Sequence, residues 1–306
     1  DYVKFQTFKA NNITSRSASK ANYQIKNDVK YESQYEMLKD LELSFEDHLN
    51  LVKYCKQRKI KFLSSAFDID GLNILNKLSV NLIKIPSGEI TNYQYLKKVS
   101  EINKPIILST GMSNIKEIKN AINILTSKKI KKNDITILHC NSDYPTNMID
   151  VNLKALKSIQ DELKINVGYS DHTLGIEVPI AAVALGAKVI EKHFTLDRNL
   201  PGPDHAASLE PLELKKMVEG IRNIEIACSG SGIKEITKSE KQNLLFVRKS
   251  LFTKKKIKKG DTLKEELLIA LRPGDGISPM DIPKLKGKTF KKSLNQYVKI
   301  KIEDFE

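Results

Sequence analysis

The sequence predicts an α/β fold: a parallel (β/α)8-type barrel lacking its first strand–helix unit, followed by a small β-rich domain. Three observations predict it. Short apolar, β-branched runs alternate with amphipathic helical stretches; nearly every run has a polar side chain at or beside its C-terminal end; and a Gly/Ser-rich stretch near residue 230 precedes a tail of different composition. With 40% hydrophobic and 29% charged residues, the chain can build a core for such a fold.

Seven runs read as strands: residues 3–8, 61–67, 82–87, 105–110, 135–140, 166–171 and 189–195. Between them, Ile115, Ile118, Ile122 and Leu125 mark one helical stripe, and Leu153, Leu156, Ile159 and Leu163 another. Leu214, Met217, Ile221 and Ile224 mark a further helix after the last run. Strand–helix alternation implies a parallel sheet with helices outside, and an open doubly wound sheet of seven strands is the competing topology. The chain begins Asp1-Tyr2-Val3-Lys4-Phe5, already inside a strand and without an initiator Met. The economical expectation is that a first strand–helix unit of about 30 residues is missing from this sequence. Residues 1–228 then form the barrel, 229–243 a linker, and 244–306 the small domain, with strands at 250–253, 267–271 and 297–302 between glycine-containing turns.

The net charge of +14 invites a nucleic-acid reading. Its distribution argues otherwise. From Leu244 to Glu306 there are 16 basic and 8 acidic residues, mostly lysine runs such as Lys254-Lys255-Lys256 with little aromatic interleaving. These read as solvated faces, and an anionic substrate accounts for part of the excess. A basic module gripping a polyanion is the competing reading from a different class. Cys55, Cys140 and Cys228 are too widely spaced for a disulfide scaffold or zinc ribbon, no signal-peptide pattern opens the chain, and no stretch approaches roughly 20 apolar residues. A reduced, cytoplasmic setting is expected.

In a parallel barrel, side chains at the C-terminal ends of strands converge on one rim. Those positions hold Lys4 and Gln6; Ser65; Lys84, Ser87 and Glu89; Ser109 and Thr110; Asn141 and Tyr144; Ser170, Asp171 and His172; and His193. Lys4 and Lys84 lie inside otherwise apolar strands. Two inward ammonium groups repel unless an anion lies between them, which points to a phosphate or carboxylate ligand; pairing with a structural carboxylate is the alternative. Ser87-Gly88-Glu89 and Ser109-Thr110-Gly111 add hydroxyl and amide donors of the kind that suit phosphate. His172 and His193 end consecutive strands, about 4.8 Å apart, so both imidazoles can reach one divalent cation. His139 reads as core or barrel interior, His48 as part of a surface helix, and Asp204 and His205 as a loop within reach of a polar substrate.

At these residues the chain resembles the sialic acid synthases, which condense phosphoenolpyruvate with N-acetylmannosamine. The matching segments include Val3-Lys4-Phe5-Gln6-Thr7, Lys84-Ile85-Pro86-Ser87-Gly88-Glu89, Ser109-Thr110-Gly111-Met112, His139-Cys140-Asn141, Gly168-Tyr169-Ser170-Asp171-His172, Glu191-Lys192-His193-Phe194-Thr195 and Gly202-Pro203-Asp204-His205. The region with Ile257-Lys258-Lys259-Gly260 and Arg272-Pro273-Gly274 is similar to the antifreeze-like (SAF) domain of those enzymes.

The resemblance implies a TIM-type barrel and a domain-swapped homodimer. It assigns Mn²⁺ or Mg²⁺ to His172 and His193, and phosphoenolpyruvate to Lys4, Lys84, Ser87, Thr110, Asn141 and Ser170. Gln6, Tyr144 and Asp204 fall on the sugar side, and Arg272 is the residue contributed across the dimer to the N-acetyl group. The chemistry expected is an aldol-like condensation, with the cation polarising the sugar aldehyde and phosphate released by C–O cleavage. The family's first strand, with its glutamate and Asn-His-Asn-Gly-like turn, has no match here, so this stretch alone is expected to be weakly active or inactive. Segments 23–27 and 32–37 look more like the N-acetylneuraminate makers than like sister synthases that make N,N'-diacetyllegionaminate or pseudaminate.

Overall fold

Seven parallel strands pair in sequence order: β1 (Tyr2–Thr7), β2 (Lys61–Ala66), β3 (Ile83–Ile85), β4 (Ile106–Ser109), β5 (Ile135–Cys140), β6 (Asn166–Asp171) and β7 (Ile190–Lys192). The computed structural model describes residues 1–27 and 30–306, the side chains of Lys26 and Asn27 excepted. Helices Phe45–Gln57, Ile69–Lys77, Tyr93–Ile102, Ile115–Leu125, Ala155–Leu163 and Glu177–Ala184 make the crossovers, and Pro211–Ala227 follows β7. A doubly wound sheet reverses its strand order at a switch point. This one runs monotonically from β1 to β7, so the curled sheet is TIM-like, and among the described residues β1 and β7 have one strand neighbour each.

Period two divides the residues of each strand. Ile83 and Ile85, Ile106 and Leu108, Ile135 and Ile137, and Val167 and Tyr169 are buried in one core with Leu72, Leu96, Ile118 and Leu156 of the helices. The alternate row, which includes Lys4, Lys84, Ser109, Cys140 and Ser170, faces the inside of the curl. Each buried leucine or isoleucine is worth about 1.5–3 kcal/mol, so the helix-facing rows hold the sheet while the inner row is left for polar groups. Capping boxes at Ser44 and Asn114 fix the starts of two of the helices.

Three details differ from the sequence reading, and a fourth, His139, resolves to the first of its two expected places. β3 and β7 span three residues each, and β3 stops where Pro86 offers no amide hydrogen. His48 is fully buried, not on a surface: its Nε2 lies 2.7 Å from Thr7 Oγ1 and its Nδ1 2.7 Å from the Ser44 carbonyl. His139 falls on the core side of its two expected places: it lies on the helix-facing row of β5, its Nε2 2.9 Å from the Val151 carbonyl. Residues 297–302 do not form a strand. Tyr297 has φ 60°, in the left-handed region, Lys299 alone bridges Phe252, and Ile302–Asp304 closes as a 3₁₀ turn.

The described residues cluster into two compact units, Asp1–Gly230 and Ser231–Glu306. In the second, β8 (Ser250–Thr253) pairs antiparallel with β9 (Leu268–Leu271) over a core that includes Leu251, Ile257, Leu263, Phe290 and Ile300. Lys254, Lys255 and Lys256 are exposed, as solvated faces should be.

Candidate active site

The two inward lysines share one carboxylate. Glu191, on β7, lies 3.5 Å from Lys4 Nζ and 3.6 Å from Lys84 Nζ, and it accepts a hydrogen bond from Ser170 Oγ at 3.2 Å. Lys84 is 2% exposed and donates to Ser109 Oγ at 2.6 Å and to the Ile85 carbonyl at 3.3 Å. Burial pushes its ammonium below the usual range, with Glu191 opposing the shift and Lys4 adding to it. Burial alone would raise the Glu191 carboxyl, but Lys4 and then Lys84 outweigh burial and hold it at about 2. An anion between the lysines is therefore supplied by the protein itself, the structural-carboxylate alternative of the sequence reading, in which a ligand is the preferred account. Two ammonium groups against one carboxylate still leave one positive charge at this point of the rim.

The signal for Glu191 was present in the sequence. It precedes His193 by two residues, so strand alternation puts both on the inner row. Tyr23 was also missed as a member of the site. Helix Asn22–Asn27, in the β1–β2 connection, brings its ring to 5.0 Å from that of Tyr144.

His172 and His193 do meet, with ring centroids 5.4 Å apart. Tyr144 packs against both, 4.1 Å from His172 and 5.6 Å from His193. His172 Nδ1 lies 2.5 Å from the Asn141 carbonyl oxygen, an acceptor, so the ring proton resides on Nδ1 and Nε2 keeps its lone pair. Burial, the largest cause for each, holds both imidazoles neutral, with pKa values lowered to about 4; the neighbouring Lys4 ammonium is the next cause for His193. Asp204 Oδ2 lies 3.6 Å from His193 Nδ1, too long for a hydrogen bond. Burial raises the Asp204 carboxyl, against the pull of His172 and Lys4.

Neutral imidazoles, one with its second nitrogen anchored to a carbonyl, are the form in which histidine binds a metal. The pair fits two positions of a divalent cation. Among the described residues no three His, Cys, Asp or Glu side chains converge on one point that could hold a metal, so further positions would fall to water or substrate oxygen.

The remaining predicted residues divide. Ser170 and Asn141 border the histidines; Asn141 donates from Nδ2 to the Asp150 carbonyl at 2.8 Å, and its Oδ1 is buried without a partner. Ser87 Oγ accepts from the Gly111 amide at 2.9 Å and lies 3.4 Å from Cys140 Sγ. Thr110 directs both its amide and its hydroxyl at the Leu138 carbonyl, at 3.1 and 2.9 Å, so neither proton points at a ligand. Gln6 is exposed on β1, on the same row as Lys4. His205 is held by Thr195 Oγ1 at 2.7 Å from its Nδ1. Arg272, in the second unit, is exposed and donates from Nε to the Val247 carbonyl at 3.1 Å.

The NeuB family model matches residues 1–234. The chain belongs to the NeuB family. A SAF domain follows over residues 248–296 of this NeuB-family chain. It is 51% identical, across 97% of its length and 88% of the relative's, to the N,N'-diacetyllegionaminic acid synthase of Campylobacter jejuni. It is 45% identical, across 96% and 83%, to the synthase of the same name from Legionella pneumophila. Among solved structures, the N-acetylneuraminic acid (sialic acid) synthetase of Leptospira borgpetersenii superposes with a TM-score of 0.68 at 32% identity, covering 78% of each chain. The NeuB-family fold, TIM-like barrel plus SAF domain, is thus the one the sequence predicted. No helix among the described residues is long and apolar enough to cross a membrane.

Proposed function

We propose that the protein is a phosphoenolpyruvate-dependent nonulosonate synthase that condenses 2,4-diacetamido-trideoxymannose to N,N'-diacetyllegionaminate and phosphate. The observation that carries the reaction is the meeting of Lys4, Lys84 and the two neutral imidazoles at the C-terminal rim of the sheet. The sugar rests on the two relatives of 51% and 45% identity, both named for diacetyllegionaminate. The preference for N-acetylmannosamine read from segments 23–27 and 32–37 gives way to them.

In this reading the Lys4 and Lys84 ammonium groups hold the phosphate and carboxylate of phosphoenolpyruvate, with Ser170, Ser87, Thr110 and Asn141 lining its surroundings. Fixing both ends of that molecule orients its C3 toward the sugar, which is the positioning contribution to rate. His172 and His193 hold a divalent cation, Mn²⁺ or Mg²⁺, which when bound supplies Lewis acidity at the sugar aldehyde. C3 forms a bond to sugar C1 as the aldehyde C=O opens and its oxygen takes a proton, water adds at C2 and gives up a proton, and the C2–O bond breaks to release phosphate and leave the C2 ketone. Tyr144, whose hydroxyl burial keeps protonated, and Asp204 face the sugar with Gln6. Arg272 of a second copy, in a domain-swapped homodimer, completes the N-acetyl contact.

The test is phosphate release by the full-length protein with phosphoenolpyruvate and a panel of N-acetylmannosamine, 2,4-diacetamido-trideoxymannose and its altrose isomer. The expected kcat/KM for the diacetamido-mannose sugar exceeds the others by at least about 10-fold, the low end of the discrimination that pocket contacts supply. Equal or faster turnover of N-acetylmannosamine would overturn the sugar assignment, and undiminished turnover in EDTA the cation.

A further inference from the structure

Behind the two histidines, on the opposite face of the same two strand ends, lies a second ion pair that the proposed chemistry does not use. Val167, Tyr169 and Asp171 form the helix-facing row of β6, and Ile190 and Lys192 that of β7. Asp171 and Lys192 are direct register partners, and their side chains meet with Nζ 2.5 Å from Oδ2 at 2% and 0% exposure. Asp171 Oδ1 accepts from the Thr173 amide at 3.0 Å and from its hydroxyl at 2.8 Å, while Lys192 also donates to the Thr173 carbonyl. Each charged residue immediately precedes one of the histidines.

We infer that the Asp171–Lys192 pair is a positioning element that locks the ends of β6 and β7 together and thereby sets the spacing of the His172 and His193 imidazoles. It rests on the reading of those imidazoles as the cation's ligands. Stability alone does not account for the pair. Desolvating two ions costs several kcal/mol each, and buried pairs are often replaced by apolar residues with no loss of stability. What the pair adds is register and direction at a place where β7 is only three residues long. Every polar atom of this cluster is tied to Thr173 or to the opposite charge, so neither strand end can twist without breaking a buried bond. The pair is also neutral as a unit. Lys192 alone, one residue from His193, would repel the cation that His193 is to bind.

The experiment compares the full-length wild-type protein with the double variant Asp171→Asn/Lys192→Met. Asn keeps the acceptor for Thr173, and Met fills the lysine's volume without its charge. Mn²⁺ binding, followed by electron paramagnetic resonance, is expected to weaken about 10–100-fold, as loss of an outer-shell partner does. Phosphoenolpyruvate affinity and the circular dichroism melting temperature are expected to stay unchanged. In metal-free protein the ¹⁵N spectra of the His172 and His193 rings should change from single tautomers to averaged signals. The single variant Asp171→Asn, which strands the Lys192 charge, should bind Mn²⁺ more weakly still. Wild-type Mn²⁺ affinity and ring spectra in the double variant would overturn the inference. So would a parallel loss of Mn²⁺ binding, phosphoenolpyruvate binding and melting temperature, which would make the pair a stabilising element only. A wild-type protein that binds no Mn²⁺ would sink the cation reading, while the metal-free ring spectra would still decide the role of the pair.

Discussion

Glu191 faces the ammonium of Lys84 across 3.6 Å in a site where Lys84 is 2% exposed, and the same carboxylate reaches Lys4 at 3.5 Å. At an effective dielectric of about 20 each attraction is on the order of 4 kcal/mol. That is comparable with the several kcal/mol lost on burying each ion, so the cluster is poised near balance and retains one positive charge for a substrate anion.

Removing the carboxylate should expose that balance. Glu191→Gln leaves two ammonium groups facing each other and is expected to cost about 3 kcal/mol of stability. Added phosphoenolpyruvate should restore part of the loss, because a ligand held at that point stabilises the native state by mass action. Thermal melts with and without the ligand check this; an unchanged melting temperature would contradict the account.

Removing a lysine should act on the substrate instead. Lys84→Met is expected to raise the KM for phosphoenolpyruvate about 10²-fold, the scale of losing one partner of a buried charge pair. The KM for the sugar should stay within a few-fold in the same steady-state experiment. A parallel rise in both would place Lys84 in a general structural role.

Acid should unfold the protein through its imidazoles. His172 and His193 hold off protons until about pH 4 when folded, while in the unfolded chain they take them up near 6.5. Stability is therefore fully present above 6.5 and is lost as pH falls toward 4. Glu191, held at about 2 against a usual 4.5, adds a further loss between 4.5 and 2; Asp204, raised by burial, works in the opposite direction. Melting temperatures in EDTA should decline from pH 6.5 to 4.5, and a flat profile would contradict the neutral, buried imidazoles.

At Gly168, β6 runs close against Val189 on the approach to β7. A Cβ there would collide with the Val189 carbonyl oxygen and sit 2.6 Å from Leu138 Cδ2. Gly168→Ala should cost about 1–3 kcal/mol, as overpacking does, and weaken Mn²⁺ binding by displacing His193 relative to His172. Denaturant melts with an Mn²⁺ titration on the same samples test it.

The barrel was legible because helix-facing rows such as Ile83/Ile85 and Ile135/Ile137 are apolar and the inner rows end in charge. The same alternation revealed Lys4, Lys84, His172 and His193. It did not reveal Glu191 as the lysines' partner, because a carboxylate on β7 and an ammonium on β3 are brought together only by the curl of the whole sheet. His48 looked like a surface residue from its place in a polar helix; its burial comes from the tertiary contact with Thr7. Residues 297–302 carry strand-like composition, but the left-handed Tyr297 at one end and the 3₁₀ turn Ile302–Asp304 at the other cut the pairing with 251–253 to a single bridge.

The central claim is that the lysine pair and the imidazole pair serve one site, with the phosphoenolpyruvate held by the lysines lying beside the cation held by the imidazoles. Its most direct test is the ³¹P relaxation of phosphoenolpyruvate bound to the full-length protein in the presence of Mn²⁺. The account predicts strong paramagnetic broadening of the bound phosphate, abolished both by Lys84→Met, through loss of the ligand, and by the double variant His172→Ala/His193→Ala, through loss of the ion. Phosphoenolpyruvate that binds with its phosphorus signal unaffected by protein-bound Mn²⁺ would contradict it.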